Sequence, residues 1–264
     1  MADASDAQRE GRPTPGGRRG ASREIAVAYV FVCVVTWLLT RLRHQEPFGD
    51  YVHLAVGGLF LTTALKLAQR QTGGVEHFGL SLAGLLEPPE PDDRSPGPVG
   101  LFDLGRAIVH ALPSAAKEFG FALAVAALIF PPFVVGFFLW HSPAHAFHWN
   151  PPPDLGSFAL AQFVVVALPE EAFFRGYLQT RLHDVFPGRR RILGADVSPG
   201  AVIASAALFA LIHFLVEGNP ARLAVFFPGL LFGWARARRG GIGAGLALHA
   251  LSNVLSEFLV RGWL

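Results

Sequence analysis

The stretch Val164-Val-Val-Ala-Leu-Pro-Glu170-Glu171-Ala-Phe-Phe-Arg175-Gly-Tyr-Leu178 sets two acids and an arginine in the middle of an otherwise apolar run. That run extends over about 156–181, enough at ~1.5 Å per helical residue to cross a ~30 Å hydrocarbon core. Ionisable groups in such a core are costly and are kept for function or for pairing with one another. The sequence therefore reads as a membrane protein whose chemistry lies within the bilayer.

The rest of the chain agrees. Of 264 residues, 52% are hydrophobic and 16% charged, against roughly 25% charged in an ordinary soluble domain. Apolar runs recur at about 24–40, 51–68, 118–140, 156–181, 200–216, 221–236 and 241–260, which predicts an all-α, polytopic transmembrane helical bundle. About seven spans are expected. Six to eight remain open, because the first two runs are short and residues 75–86 or 101–116 can lie along the membrane surface. Residues 1–22 are expected to be a disordered cytoplasmic tail and 23–264 a single integral membrane domain, with 156–260 as its catalytic core. The proline-rich stretch from Glu87 to Pro98 cannot sustain a helix and reads as an exposed loop.

Lysine and arginine set orientation. With the N-terminus in the cytoplasm, 17 of them fall on the inner side, and only Arg41, Arg43, Arg222 and Arg261 on the outer. Arg18, Arg19 and Arg23 precede the first run, which lacks a small-x-small cleavage site and so reads as an uncleaved span. The net charge of +2 and the pI near 9.0 do not indicate nucleic-acid binding, because the basic residues cluster at the ends of apolar segments. Cys33 is the only cysteine; it supports neither a disulfide framework nor a cysteine metal site, and a small buried thiol is expected.

Helix geometry separates the two glutamates. Glu171 and Arg175 are four apart and share a face, so the arginine can neutralise that acid, while Glu170 points away toward neighbouring spans as the reactive carboxylate. Pro169 removes a backbone hydrogen bond and is expected to kink or restart the helix beside Glu170. His249 and Asn253, also four apart, can donate together to the oxygen that becomes negative when a peptide carbonyl is attacked. His213, on another span, can hold the attacking water beside Glu170. Each has a plainer reading: Glu171 with Arg175 as a buried ion pair holding helices in register, and Asn253 or His213 as interhelical hydrogen-bonding residues. The joint pattern favours chemistry.

The ordered set Glu-Glu-x-x-x-Arg, Phe-x-x-x-His and His-x-x-x-Asn, at Glu170–Arg175, Phe209–His213 and His249–Asn253, resembles the CPBP family of intramembrane proteases. That family includes CAAX prenyl endopeptidases and bacteriocin-processing or immunity-related proteins. The resemblance covers about residues 156–260. It implies a peptidase acting on a membrane-associated protein or peptide, in which Glu170 activates water, Glu171 and Arg175 support it, His213 positions that water, and His249 and Asn253 form the oxyanion site. No cofactor is favoured. The alternative is zinc on Glu170, His213 and His249, although no His-Glu-x-x-His motif is present.

A non-catalytic immunity or scaffold protein of the same fold is the alternative from another class; a transporter with a proton relay is weaker, as no inverted repeat is evident. The composition, rich in Ala, Gly and Arg, suits a bacterial inner-membrane maturation enzyme. Outside the site, His141, His145 and His148 read as an outer loop interrupted by Pro143, flanked by the interfacial Trp140 and Trp149. Gly229-x-x-x-Gly233 and Gly241-x-x-x-Gly245 read as close-packing positions between helices.

Overall fold

The computed structural model describes residues 15–82 and 101–264; residues 1–14 and the proline-rich loop at 87–98 lie outside them. Its main elements are α1 (Pro15–Arg41), α2 (Val52–Gln69), α3 (Leu101–His141), α4 (Leu155–Val185), α5 (Pro199–Glu217), α6 (Phe226–Arg239) and α7 (Gly243–Trp263). A small antiparallel hairpin, β1 (Arg190–Ile192) and β2 (Ala195–Val197), joins α4 to α5. All of these helices except α6 are long and apolar enough to cross a membrane, so the chain is a multi-pass helical bundle.

The expected boundaries shift in three places. Helix α1 begins at Pro15, so the part of the expected tail from 15 to 22 is helical. Helix α3 runs unbroken for 41 residues, about 60 Å at the standard rise; residues 101–116 extend the span and do not form a separate surface helix. The run at 221–236 is divided between a six-residue 3-10 segment, Pro220–Val225, and the 14-residue α6. Together they cover about 33 Å and return the chain from the Glu217 end of the bundle to the Arg239 end.

Contacts at each end give the same sense of direction. At one, Arg239 meets Glu118 at 2.6 Å and the Ile242 amide donates to the Gly79 carbonyl at 3.1 Å. At the other, the His148 amide donates to the Gly262 carbonyl, and Arg261 Nε to that of Asn150, both at 3.1 Å.

The core is thickest around α4. Phe173, Phe174, Tyr177 and Leu178 are fully buried against Tyr29 and Val32 of α1, Phe60 of α2 and Phe209 of α5. Large apolar residues on the outer faces of α1 and α3, such as Val30, Leu128 and Leu139, are exposed, as lipid-facing positions are. Cys33 is half-buried against the same core.

The N-terminal half does more than supply membrane character. Gly57 of α2 lies so close to α4 that a Cβ there would sit 2.7 Å from the Val165 carbonyl and 3.3 Å from Pro169 Cγ. Glu24 of α1 accepts from Tyr177 Oη at 2.7 Å and Arg181 Nη2 at 2.8 Å. These contacts hold α4 at two depths.

Candidate active site

Helix α4 carries the two glutamates on an α-helical step, Leu168–Glu171, between two widened π-helical stretches, Gln162–Ala167 and Ala172–Leu178. Pro169 has no N–H to give the Val165 carbonyl four residues back. The helix takes up that defect by widening, without a break, and the expected restart at Glu170 is replaced by a continuous segment. Such π turns favour functional positions because they re-aim side chains by a fraction of a turn.

The buried acid is Glu171. Both it and Arg175 have fully buried side chains, with Oε1 3.0 Å from Nη1. The guanidinium is sandwiched by aromatic rings, 4.2 Å from the Phe209 centroid and 5.3 Å from that of Phe232, and its Nη2 donates to the Gly229 carbonyl at 3.4 Å. Delocalised charge over ring faces is favourable in a dry site. Glu171 Oε1 also accepts from His249 Nδ1 at 2.9 Å.

Glu170 is the accessible acid. Its side chain is 18% exposed, and its Oε2 lies 3.6 Å from His249 Nε2, beyond hydrogen-bond reach. That oxygen is itself buried and, like Glu171 Oε2, has no hydrogen-bond partner among the described residues. His249 is thus placed between both carboxylates, its ring stacked on Phe232 at 4.9 Å.

His213 is half-buried, and its Nδ1 pairs with the Phe209 carbonyl at 2.8 Å. Its ring meets the edge of Phe209 at 4.5 Å, and the same Phe209 contacts His249 at 5.7 Å; His213 lies within electrostatic reach of Glu170 and His249. Asn253 stands one turn beyond His249 on α7, and its Nδ2 donates to Gln162 Oε1 at 2.9 Å.

These bonds refine the chemistry open to each histidine. A carbonyl or an ionised carboxylate only accepts, so in a neutral ring bonded to one through Nδ1 that nitrogen carries the proton and Nε2 is an acceptor, whereas a protonated ring donates from both. The sequence suggests a neutral His249 donating to an oxyanion; in a neutral ring that gives its Nδ1 hydrogen to Glu171, the nitrogen beside Glu170 is an acceptor and donates only after gaining a proton. One of the two amide hydrogens of Asn253 goes to Gln162, which leaves the other to donate elsewhere. Among the described residues, Glu170, His213 and His249 do not stand together as a group that could hold a metal ion.

Four residues of this neighbourhood lie outside the Glu, His and Asn motifs. Gln162 orients Asn253; its signal was a lone amide two turns before Glu170. Gly229 and Gly233 stack against Arg175 and Gln179, whose side chains donate to the two glycine carbonyls at 3.4 and 3.0 Å. A Cβ at Gly245 would lie 2.9 Å from Glu171 Oε2. The glycine pairs read as packing positions therefore border the site.

Overpacking of this kind costs about 1–3 kcal/mol, so Gly245→Ala is expected to lower the thermal unfolding midpoint in detergent. Gly58→Ala, where a Cβ meets nothing within 4 Å, should stay within about 0.5 kcal/mol of wild type. Equal midpoints for the two variants would contradict the close contact with Glu171.

No curated protein and no solved structure matches the chain significantly. Residues 152–255, the stretch that carries Glu170, Glu171, Arg175, His213, His249 and Asn253, match the family model described as type II CAAX prenyl endopeptidase Rce1-like.

Proposed function

We propose that the chain is an intramembrane endopeptidase that hydrolyses a peptide bond of a membrane-associated protein or peptide, with Glu170 as the base that activates water. The observation that carries this reading is the contrast between neighbouring acids. Glu171 is fully buried and paired with both Arg175 and His249, whereas Glu170 is 18% exposed and among the described residues meets a basic group only at His249 Nε2, 3.6 Å away. The likeness of residues 152–255 to the endopeptidase family model supports the same class of reaction.

In this mechanism Glu170 takes one proton from a water molecule as its oxygen bonds to the scissile carbonyl carbon. His213 Nε2 accepts the hydrogen bond of the other water proton and so aims the attacking lone pair. The carbonyl π electrons move onto oxygen, and the free amide hydrogen of Asn253 stabilises the charge that forms. The C–N bond then breaks, and the proton held by Glu170 passes to the leaving nitrogen, directly or through the adjacent His249 Nε2. Glu171 and Arg175 do not touch the substrate; they hold the His249 ring.

Comparative proteomics of membranes from cells carrying wild type or Glu170→Gln tests the reading and identifies the substrate. An intact precursor should accumulate with the variant; a biological effect unchanged by Glu170→Gln, with no precursor, favours the non-catalytic immunity or scaffold alternative. Purified protein is expected to keep its activity after dialysis against a chelator. Stoichiometric zinc whose removal abolishes cleavage, and whose return restores it, would overturn the metal-free mechanism. The positive-residue bias supports a cytoplasmic N-terminus, and we infer a bacterial inner membrane from the composition.

A further inference from the structure

The hairpin between α4 and α5 has no part in the proposed chemistry, yet it is built in an unusual way. It begins with three exposed arginines, Arg189, Arg190 and Arg191, and its turn presents Ile192 at 40% and Leu193 at 82% exposure. Leu193 has a positive φ of 46°, a conformation that an ordinary side chain adopts only at some cost. A solvent loop would place Asn or Gly there.

The hairpin does not project away from the bundle. Ala195 and Val197 are buried against Val202, Leu230, Trp234 and Ala237, and Trp234 Nε1 donates to the Ile192 carbonyl at 3.2 Å. A Cβ at Gly194 would lie 3.2 Å from Arg238 Nε. The turn is therefore fastened alongside the last turns of α6, at the level where that helix ends in Arg236, Arg238 and Arg239. Arg189 is paired with Asp196 at 3.0 Å, whereas Arg190 and Arg191 have no ion-pair partner among the described residues.

We propose that this hairpin is an interfacial anchor, with Ile192 and Leu193 dipping into the acyl boundary and Arg190 and Arg191 binding the phosphates of anionic lipid headgroups. Two properties together select a lipid surface over an acidic peptide. Apolar tip residues stand directly beside the unpaired cations, and the hairpin is docked at the depth of the helix ends, where headgroups lie. Arginines at such a surface each strengthen attachment to anionic lipid by about fivefold, an effect that fades with salt.

The test uses the full chain with Cys33→Ser and Leu193→Cys, labelled at position 193 with the environment-sensitive dye NBD and reconstituted in nanodiscs. Blue-shifted emission and quenching by lipids spin-labelled near the headgroup are expected. Quenching should be stronger with phosphatidylglycerol present than in pure phosphatidylcholine, and Arg190→Gln with Arg191→Gln should remove that difference. A water-like emission, or quenching independent of phosphatidylglycerol, overturns the proposal, as does a shift produced only by a soluble acidic peptide. Position 193 is so exposed that the label leaves the fold intact, and the readout does not depend on proteolysis.

Discussion

Replacing Glu170 by Gln is expected to reduce cleavage by about 10²–10⁴-fold, the range that a positioned general base contributes, while leaving the protein folded. The amide has nearly the shape of the acid but cannot take a proton from water. The side chain is 18% exposed and its Oε2 has no hydrogen-bond partner among the described residues, so little structure is lost with the charge. The signature is a fall in kcat with an unchanged unfolding midpoint. Residual activity near wild type in purified Glu170→Gln would transfer the base role elsewhere, with Glu171 the first candidate. Asn253→Ala should also lower kcat, by about 10²–10³-fold if its amide serves the oxyanion. Gln162→Ala, which frees that amide without removing it, should cost less than Asn253→Ala.

The second large effect concerns stability. Arg175→Met removes the cation from beside a fully buried Glu171, leaving an acid held by His249 alone. Breaking one side of a buried pair typically costs about 3–5 kcal/mol, because the remaining charge is uncompensated. In a domain of this size that corresponds to a drop of roughly 10 °C in the midpoint. Adding Glu171→Gln to Arg175→Met removes the stranded charge and should restore more than half of the lost stability while activity stays low, since His249 has lost its ionic anchor. Circular dichroism melts in detergent provide the measurement. If the double variant is no more stable than Arg175→Met, the loss comes from the aromatic packing around the guanidinium and not from the orphaned acid.

Glu171 and Arg175 illustrate what could be read in advance. Their spacing of four puts them on one face, and the ion pair forms as that spacing requires, even though the arginine stands in a π-helical stretch. The membrane-spanning character of six helices was equally legible, because length and apolarity are local properties of the chain. The apolar run at 221–236 misled by the same measure: it is shared between a 3-10 segment and a 14-residue α-helix ending in arginines, neither of them long enough to be a span.

The sequence alone determined that ionisable residues occur at membrane depth in three separate segments, since their identity and spacing within apolar runs are enough for that. Which atoms meet was decided only by the tertiary structure. The ring of His249 is shared by two glutamates 78 and 79 residues earlier, and Asn253 faces Gln162 across 91 residues; no periodicity within a helix encodes such partners. The physical reason lies in close approach between backbones. Gly57, Gly229 and Gly245 lack the Cβ that would keep α2, α6 and α7 away from α4, and the hydrogen bonds and tautomers around the central acid pair Glu170-Glu171 follow from the distances those glycines permit.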